Sequence, residues 1–149
     1  ATNPCFVSGC EWPSMDERIF NEFVTLCETA LPKALKHFLA LQFPAAKIDK
    51  SLYLLLKKQI NASNLTTKSA INALMILQNS DFSDIYAQLT CPVLTLLGGT
   101  DQLIPRQLYE CLSNGHHDNK KVMLFEKSAH IPFLTEETRF ITLMDDFLC

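Results

Sequence analysis

The sequence has 149 residues and a net charge of −3, and 48% of its residues are hydrophobic while 19% are charged. This length and balance are typical of a globular domain with its own core, and they exclude a largely disordered chain. No apolar run approaches the ~20 residues of a membrane-spanning helix, and residues 1–4 show no signal-peptide pattern, so we expect neither a membrane partner nor secretion.

The cysteines are spread through the chain without a C-x-x-C pair, at positions 5, 10, 27, 91, 111 and 149. This spacing favours neither a zinc site nor a thioredoxin-like motif. A disulfide framework is more typical of smaller, secreted chains. We therefore expect reduced, mostly buried thiols, no metal site and a cytoplasmic location.

The first elements are a strand end and a helix. Residues 1–7 have no turn or cap before them, so we predict that they are the end of a core strand. Ser14 and Glu17 have the spacing of a capping box, which predicts a helix from there to about Glu28. Apolar residues recur on one face of this segment, as in a helix that packs on a core.

Three more helices are predicted before any further strand. The helix over 32–42 has a proline in its first turn and is followed by Pro44, which cannot continue it. Apolar periodicity predicts the next two helices over 48–60 and 68–78. We expect residues 8–80 to form one helical block.

This helical block is basic, although the whole chain is acidic. Residues 31–78 contain seven lysines, no arginine and a single acid, Asp49. Such a surface can attract an acidic partner, but it is also what an ordinary solvated lysine-rich face looks like. The absence of arginine and of interleaved aromatic residues argues against nucleic-acid binding.

The pattern then changes to alternating strands and helices. The apolar run 92–97 lies between a proline and two glycines, as expected for a strand that is buried on both faces. A helix over 105–112, a second strand over 121–125 and a final amphipathic helix from about Thr135 follow. Strand, helix, strand and helix in this order predict an α/β class with parallel strands in residues 81–149.

Two loops that follow the predicted strands carry the candidate chemistry. Asp101 lies just after Gly98 and Gly99, and His130 lies after the second strand. Because the carboxyl ends of parallel strands meet at the same edge of a sheet, we expect the two side chains to be close. A carboxylate there can fix the imidazole tautomer, so that the other ring nitrogen acts as a base.

Each residue also has an ordinary structural interpretation. An aspartate in a glycine-rich loop is commonly a turn residue, and a histidine near a helix start is commonly structural. The pairing of the two at successive strand ends favours the catalytic interpretation. His116 and His117, which are in a polar turn, and His37, which is among lysines, are weaker candidates for a base.

These loops resemble a known superfamily, and three further segments resemble one family within it. G-x-x-D-x-x-I-P at 98–105 and A-H-x-P-F at 129–133 are similar to the last two catalytic loops of α/β hydrolases. P-C-F at 4–6, E-W-P at 11–13 and F-L-A-L-Q at 38–42 resemble the pimeloyl-[acyl-carrier protein] methyl ester esterases of biotin synthesis.

The resemblance implies a fold and a set of functional residues. The fold would be the C-terminal half of an α/β hydrolase, with a strand end at 1–7, a helical lid at 8–80 and the rest of the core at 81–149. Asp101 would be the acid and His130 the base of a serine esterase triad that needs no cofactor. The lid residues expected to line the acyl channel are Phe38, Leu39, Ala40, Leu41 and Gln42.

The resemblance also implies an acidic acyl-carrier protein as the partner. Lys33, His37 and Lys50 occupy positions where the family has arginines that face the carrier, and Leu54 occupies another such position. Lysine and histidine lack the two-pronged hydrogen-bonding geometry of arginine, so this docking prediction is less specific than that of the triad.

One part of the family pattern is missing from the sequence. The four glycines are at positions 9, 98, 99 and 115, so the nucleophile motif G-x-S-x-G does not occur. The resemblance then requires an N-terminal half with the serine nucleophile, either from the same gene or from a companion chain. Two alternatives stay open: a hydrolase of small soluble esters with the same fold, and a non-enzymatic binding module.

Overall fold

The computed structural model describes residues 3–7, 12–44, 49–115 and 119–149. Within these ranges the chain order is helical first and mixed second. The elements are α1 Glu17–Leu41, α2 Lys50–Ala62, α3 Thr67–Asn79, α4 Ser83–Gln88, β1 Val93–Gly98, α5 Gln107–Asn114, β2 Lys120–Phe125, α6 Pro132–Thr135 and α7 Glu137–Leu148. The predicted α/β class, with a helical block before a parallel strand–helix unit, is confirmed.

Helix α1 combines the two helices that were predicted for this region. Asp16, and not Ser14, caps its start, because the Asp16 carboxylate accepts hydrogen bonds from the backbone N–H groups of Arg18 and Ile19. Ala30 has non-helical dihedral angles (φ −153°, ψ 61°) two residues before Pro32. The proline lacks an N–H donor and disturbs the preceding turn, so the range of α1 consists of two helical segments that meet at a kink at Ala30, in agreement with the two predicted helices.

Helices α2 and α3 pack against α1 to form the helical block. Asp49 caps α2 by accepting from the N–H of Leu52, and Thr66 caps α3 in a reciprocal pair with Ser69. The predicted start of the third helix, Ile48, lies outside the described residues. No helix in the described ranges is long and apolar enough to cross a membrane.

Strands β1 and β2 form a parallel pair in which Val93 lies opposite Lys120 and Gly98 lies opposite Phe125. The crossover between them contains α5, whose packing face is apolar. Leu97, Ile104, Leu108 and Leu124 form the buried core between this helix and the strands. Both strands therefore end at the same edge, as the sequence predicts.

A second buried cluster joins the helical block to the α/β part. Leu39 in the last turn of α1 and Phe43 just after the helix pack with Ile131, the residue after His130, and side chains of α2 cover them. All three buried residues are at most 7% exposed. The helical block is thus anchored next to the candidate histidine.

Residues 3–7 form single bridges and no strand within the described part. Cys5 bridges Asp81 and Val7 bridges Met15, outside the β1–β2 sheet. Residues 1 and 2 lie outside the description, so the proposed strand end at 1–7 and the division into 8–80 and 81–149 stay predictions. Helices α4 and α6 were not predicted because six and four residues are too few to show a helical period.

The cysteine prediction is wrong in two respects. Cys5 is disulfide-bonded, so the thiols are not all reduced. Cys91, Cys111 and Cys149 are free but exposed, since they lie before β1, on the outer side of α5 and at the last residue. Cys27 agrees with the prediction, because it is free and buried in α1, and burial raises the pKa of its thiol.

Candidate active site

Asp101 is held by the turn that follows β1. Its Oδ1 atom accepts hydrogen bonds from the backbone N–H groups of Leu103 at 2.8 Å and Ile104 at 3.2 Å. The side chain is fully buried. Two backbone donors on one oxygen fix the plane of the carboxylate and leave the other oxygen directed at a different partner.

That partner is His130, in the loop after β2. The Nδ1 atom of His130 is 3.0 Å from Oδ2 of Asp101, and the His130 side chain is 20% exposed. An ionised carboxylate only accepts hydrogen bonds, so Nδ1 is the donor when the imidazole is neutral. The lone pair of the neutral ring is then on Nε2, which is the arrangement needed in a general base.

The two loops are fastened to each other by backbone contacts beyond the strand ends. The N–H of Gly99 donates to the carbonyl of Phe125 at 2.8 Å, and both the N–H and the hydroxyl of Thr100 donate to the carbonyl of Ser128 at 3.0 Å. Gly98 faces Ala129 so closely that a Cβ atom would collide with the Ala129 carbonyl oxygen. Glycine is therefore required at position 98 by space.

An exposed ion pair spans the outer side of the same loops. The Arg106 guanidinium donates to both carboxylate oxygens of Glu126, at 2.7 and 3.0 Å. Their side chains are 48% and 60% exposed. The hydrogen bonds from Arg106 lower the pKa of Glu126, and the same contact raises the pKa of Arg106. The pair adds a charged link between the end of the Asp101 loop and the start of the His130 loop.

An apolar cavity of 430 Å³ lies between the helical block and the Asp101 loop. Phe38 and Leu41 of α1 line it, as does His37, while Gln102 and Leu103 contribute from the residues after Asp101. Most of the other lining side chains are apolar and come from α1 and α3. Its size is that of a site for a small organic group.

The five predicted lid residues have different surroundings. Phe38 and Leu41 face the cavity, whereas Leu39 is buried against Phe43 and Ile131. Ala40 is exposed. Gln42 is buried, and its side chain donates to the carbonyl of Phe38 at 3.0 Å. The segment presents two side chains to the cavity, as an amphipathic helix does, and it uses the others for packing or leaves them at the surface.

The three predicted carrier-docking residues are exposed. Lys33 and His37 lie on α1, and Lys50 begins α2. His37 also lies beside the ring of Phe23, with 6.3 Å between ring centroids. Lys47 of the basic segment and the weaker candidates His116 and His117 lie outside the described residues, as does Glu11 of the E-W-P motif. Within the described residues, no cluster of three or more His, Cys, Asp or Glu side chains could bind a metal ion.

A partly buried polar cluster beside the His130 loop was not predicted from the sequence. It consists of Ser128, Thr135 and Glu136, which are joined by hydrogen bonds between their side chains. The spacing of seven and eight residues has no recognisable period. A serine two residues before a candidate histidine was the only available clue.

Comparisons with known proteins find relatives that are named as esterases. The chain is 29% identical over 147 residues to the pimeloyl-[acyl-carrier protein] methyl ester esterase of Legionella pneumophila, strain Paris; the match covers 99% of this chain and 57% of that protein. The chain thus spans a little over half the length of the curated relatives that it matches. No family model matches the sequence.

Solved structures show the same fold. An esterase from Exiguobacterium antarcticum superposes with a TM-score of 0.82 at 21% identity, over 98% of this chain and 54% of that one. An α/β hydrolase from a Medee basin deep-sea metagenome library gives 0.71 at 14% identity, over 88% and 50%. The chain therefore has the fold of the C-terminal half of an α/β hydrolase, and over nearly its whole length it resembles the pimeloyl-[acyl-carrier protein] methyl ester esterases.

Proposed function

We propose that this chain carries the acid and the base of a serine-type carboxylesterase. The observation that carries the proposal is the 3.0 Å contact between Asp101 Oδ2 and His130 Nδ1 where the ends of two parallel strands meet. The buried carboxylate holds the ring in the tautomer that can accept a proton at Nε2. Relatives that are named as esterases support the reaction class.

The proposed reaction has two acyl-transfer steps. A serine hydroxyl, contributed from outside these 149 residues, gives its proton to His130 and attacks the ester carbonyl carbon. Asp101 stabilises the imidazolium, which then protonates the departing alkoxide, so that methanol leaves and an acyl-enzyme remains. A water molecule gives its proton to His130 and attacks the acyl carbon. The proton returns to the serine oxygen, and the carboxylic acid is released.

We propose the methyl ester of pimeloyl-acyl-carrier protein as the substrate and biotin synthesis in the cytoplasm as the setting. The names of the curated relatives supply this substrate. The 430 Å³ apolar cavity between α1, α3 and the Asp101 loop supports it, because burying a methylene chain there stabilises the complex by about 0.8 kcal/mol for each CH₂ group. Phe38 and Leu41 would contact the chain.

In this proposal the acidic carrier protein docks on the basic helical block. Lys33, His37 and Lys50 are exposed on the same block whose helices line the cavity. Opposite charges on the two partners would raise the rate of encounter and orient the carrier. Docking would then bring the attached acyl group to the cavity mouth.

The catalytic proposal is tested by His130→Ala in the complete enzyme, that is, this chain together with the segment that carries the serine. Loss of the base lowers kcat/KM at least ~10³-fold on any ester. His117→Ala is the matched control, since it removes a histidine from a predicted polar turn. Near-normal turnover by the His130→Ala protein rejects the assignment of the base.

The substrate proposal is tested against the small-ester alternative. Lys33→Glu and Lys50→Glu should lower kcat/KM for pimeloyl-carrier methyl ester and leave hydrolysis of p-nitrophenyl acetate unchanged, because only the first substrate has an acidic carrier. Lys121→Glu, an exposed lysine on β2, is the control for the change in net charge. Equal activity of all three variants on the carrier substrate favours the small-ester hydrolase.

A further inference from the structure

The loop that holds His130 rests on a polar cluster that takes no part in the proposed reaction. Ser128 is two residues before the histidine and completely buried. Its hydroxyl donates to Oε1 of Glu136 at 2.6 Å and accepts from the hydroxyl of Thr135 at 2.8 Å. The hydrogen bond that the Ser128 hydroxyl donates and the one that it accepts therefore both lead to the junction between α6 and α7.

The far side of the cluster is tied to the end of β2. The Arg139 guanidinium lies 3.6 Å from Oε2 of Glu136, donates to the carbonyl of Leu124 at 3.0 Å and lies 4.4 Å from the ring centroid of Phe125. Glu136 thus has one carboxylate oxygen toward Ser128 and the other toward Arg139. The cluster spans from the strand end to the helix junction, with the His130 loop between them.

The backbone of Ser128 connects the same cluster to the acid. Its carbonyl accepts both hydrogen bonds from Thr100, the residue before Asp101. A shift of Ser128 would therefore displace the His130 loop and the Asp101 loop relative to each other. Small displacements of this kind are costly in catalysis, where ~1 Å can lower a rate ~10²-fold.

We infer that Ser128, Thr135 and Glu136 are positioning residues that fix the His130 imidazole against the Asp101 carboxylate. The inference rests on the proposed role of His130 as the base. None of the three contacts the reacting atoms in that mechanism. The three residues act on catalysis by holding the His130 loop in place. Their replacement should therefore change the behaviour of the His130 imidazole even when no substrate is turned over.

The test compares isosteric pairs in the complete enzyme. Ser128→Ala and Glu136→Leu remove the central hydrogen bond, whereas Glu136→Gln keeps an oxygen that can accept from Ser128. Thr135→Val removes a hydroxyl at nearly constant shape. Thr142→Val is its matched control, because the Thr142 hydroxyl is exposed and bonds only to its own helix, at the carbonyl of Thr138.

Two readouts are measured on each variant: solvent exchange of the His130 Nδ1 proton by NMR, and kcat and KM on a methyl ester. We expect Ser128→Ala, Glu136→Leu and Thr135→Val to speed proton exchange at least ~10-fold, because the loop opens more often. We expect kcat to fall ~10-fold with KM changed less than ~2-fold. Thr142→Val should stay within ~2-fold of the original protein on both readouts, and Glu136→Gln should change both less than Glu136→Leu does, because glutamine keeps the acceptor for Ser128 but loses the charge that faces Arg139.

Exchange and kcat within ~2-fold of the original protein in Ser128→Ala would overturn the inference, and so would equal effects of Thr142→Val and Thr135→Val. If Ser128→Ala does not fold, Glu136→Leu is compared with Glu136→Gln. Equal proton exchange and equal kcat in these two variants would then overturn the inference. The result is separable from the proposed function: an active His130→Ala protein refutes the base, whereas an unchanged Nδ1 proton in Ser128→Ala refutes only the positioning network.

Discussion

The Asp101 and His130 loops are fixed by hydrogen bonds, whereas the helical block of α1, α2 and α3 is fixed mainly by apolar contact. Between the two loops the backbone and side chains make several hydrogen bonds of 2.8 to 3.0 Å. In the helical block, α2 has no buried residue and α3 has only Ala70. A rigid Asp101–His130 pair beside a loosely packed apolar wall fits the proposed function, in which one constant reaction is combined with room for an acyl chain.

The strongest test of the rigid region is Gly98→Ala. The added Cβ atom collides with the carbonyl oxygen of Ala129, which is backbone and cannot rotate away. We expect the free energy of unfolding to fall by more than ~4 kcal/mol, measured by urea denaturation. Gly115→Ala is the control, because its backbone angles (φ −71°, ψ 120°) suit any residue. Equal stability of the two variants would show that the loops can separate easily.

A smaller effect is expected at the contact between the two regions. Leu39 is 2% exposed and packs with Phe43 and Ile131, so Leu39→Ala leaves a cavity next to the histidine loop. The expected loss is about 3 kcal/mol in the same measurement. Leu54→Ala, at a side chain that is 62% exposed on α2, should change stability by less than ~0.5 kcal/mol. A loss at Leu54 as large as that at Leu39 would contradict the described packing.

The smallest effect is expected at the exposed pair of Arg106 and Glu126. Arg106 lowers the folded-state pKa of Glu126, so the pair stabilises the fold above the unfolded-state pKa of the carboxyl, and this stability is lost as pH falls through the lowered value. The stability difference between the original protein and Arg106→Gln should therefore shrink from about pH 7 to about pH 3. If the stability difference between the two proteins stays constant or grows as the pH falls, the ion pair is not the cause of that difference.

The sequence predicted the order of the elements, because short apolar runs are enough to indicate buried strands. It also predicted that the two loops meet, because neighbouring parallel strands end at the same edge of a sheet. It placed both strands to within a residue. It did not predict the short helices or the role of Asp16 as a cap. It also did not predict the Ser128 cluster, because hydrogen bonds between residues seven and eight positions apart follow neither a helical nor a strand period.

The candidate site was also predicted only in part. The pairing of Asp101 with His130 followed from their places after successive strands, but the separate roles within F-L-A-L-Q did not. Only the structure divides this segment into cavity residues such as Phe38 and buried packing residues such as Leu39. Which face of a helix meets a cavity depends on how the helix is rotated against its neighbours, which for α1 include α2 and α3.

The pairing of Asp101 with His130 is tested by kcat/KM of Asp101→Asn in the complete enzyme, on a methyl ester. The asparagine can keep the backbone hydrogen bonds to Leu103 and Ile104, but it removes the charge that holds the His130 tautomer. We predict a decrease of about 10³- to 10⁴-fold with the fold intact by circular dichroism. Activity within ~10-fold of the original enzyme would contradict the proposed role of the Asp101 carboxylate.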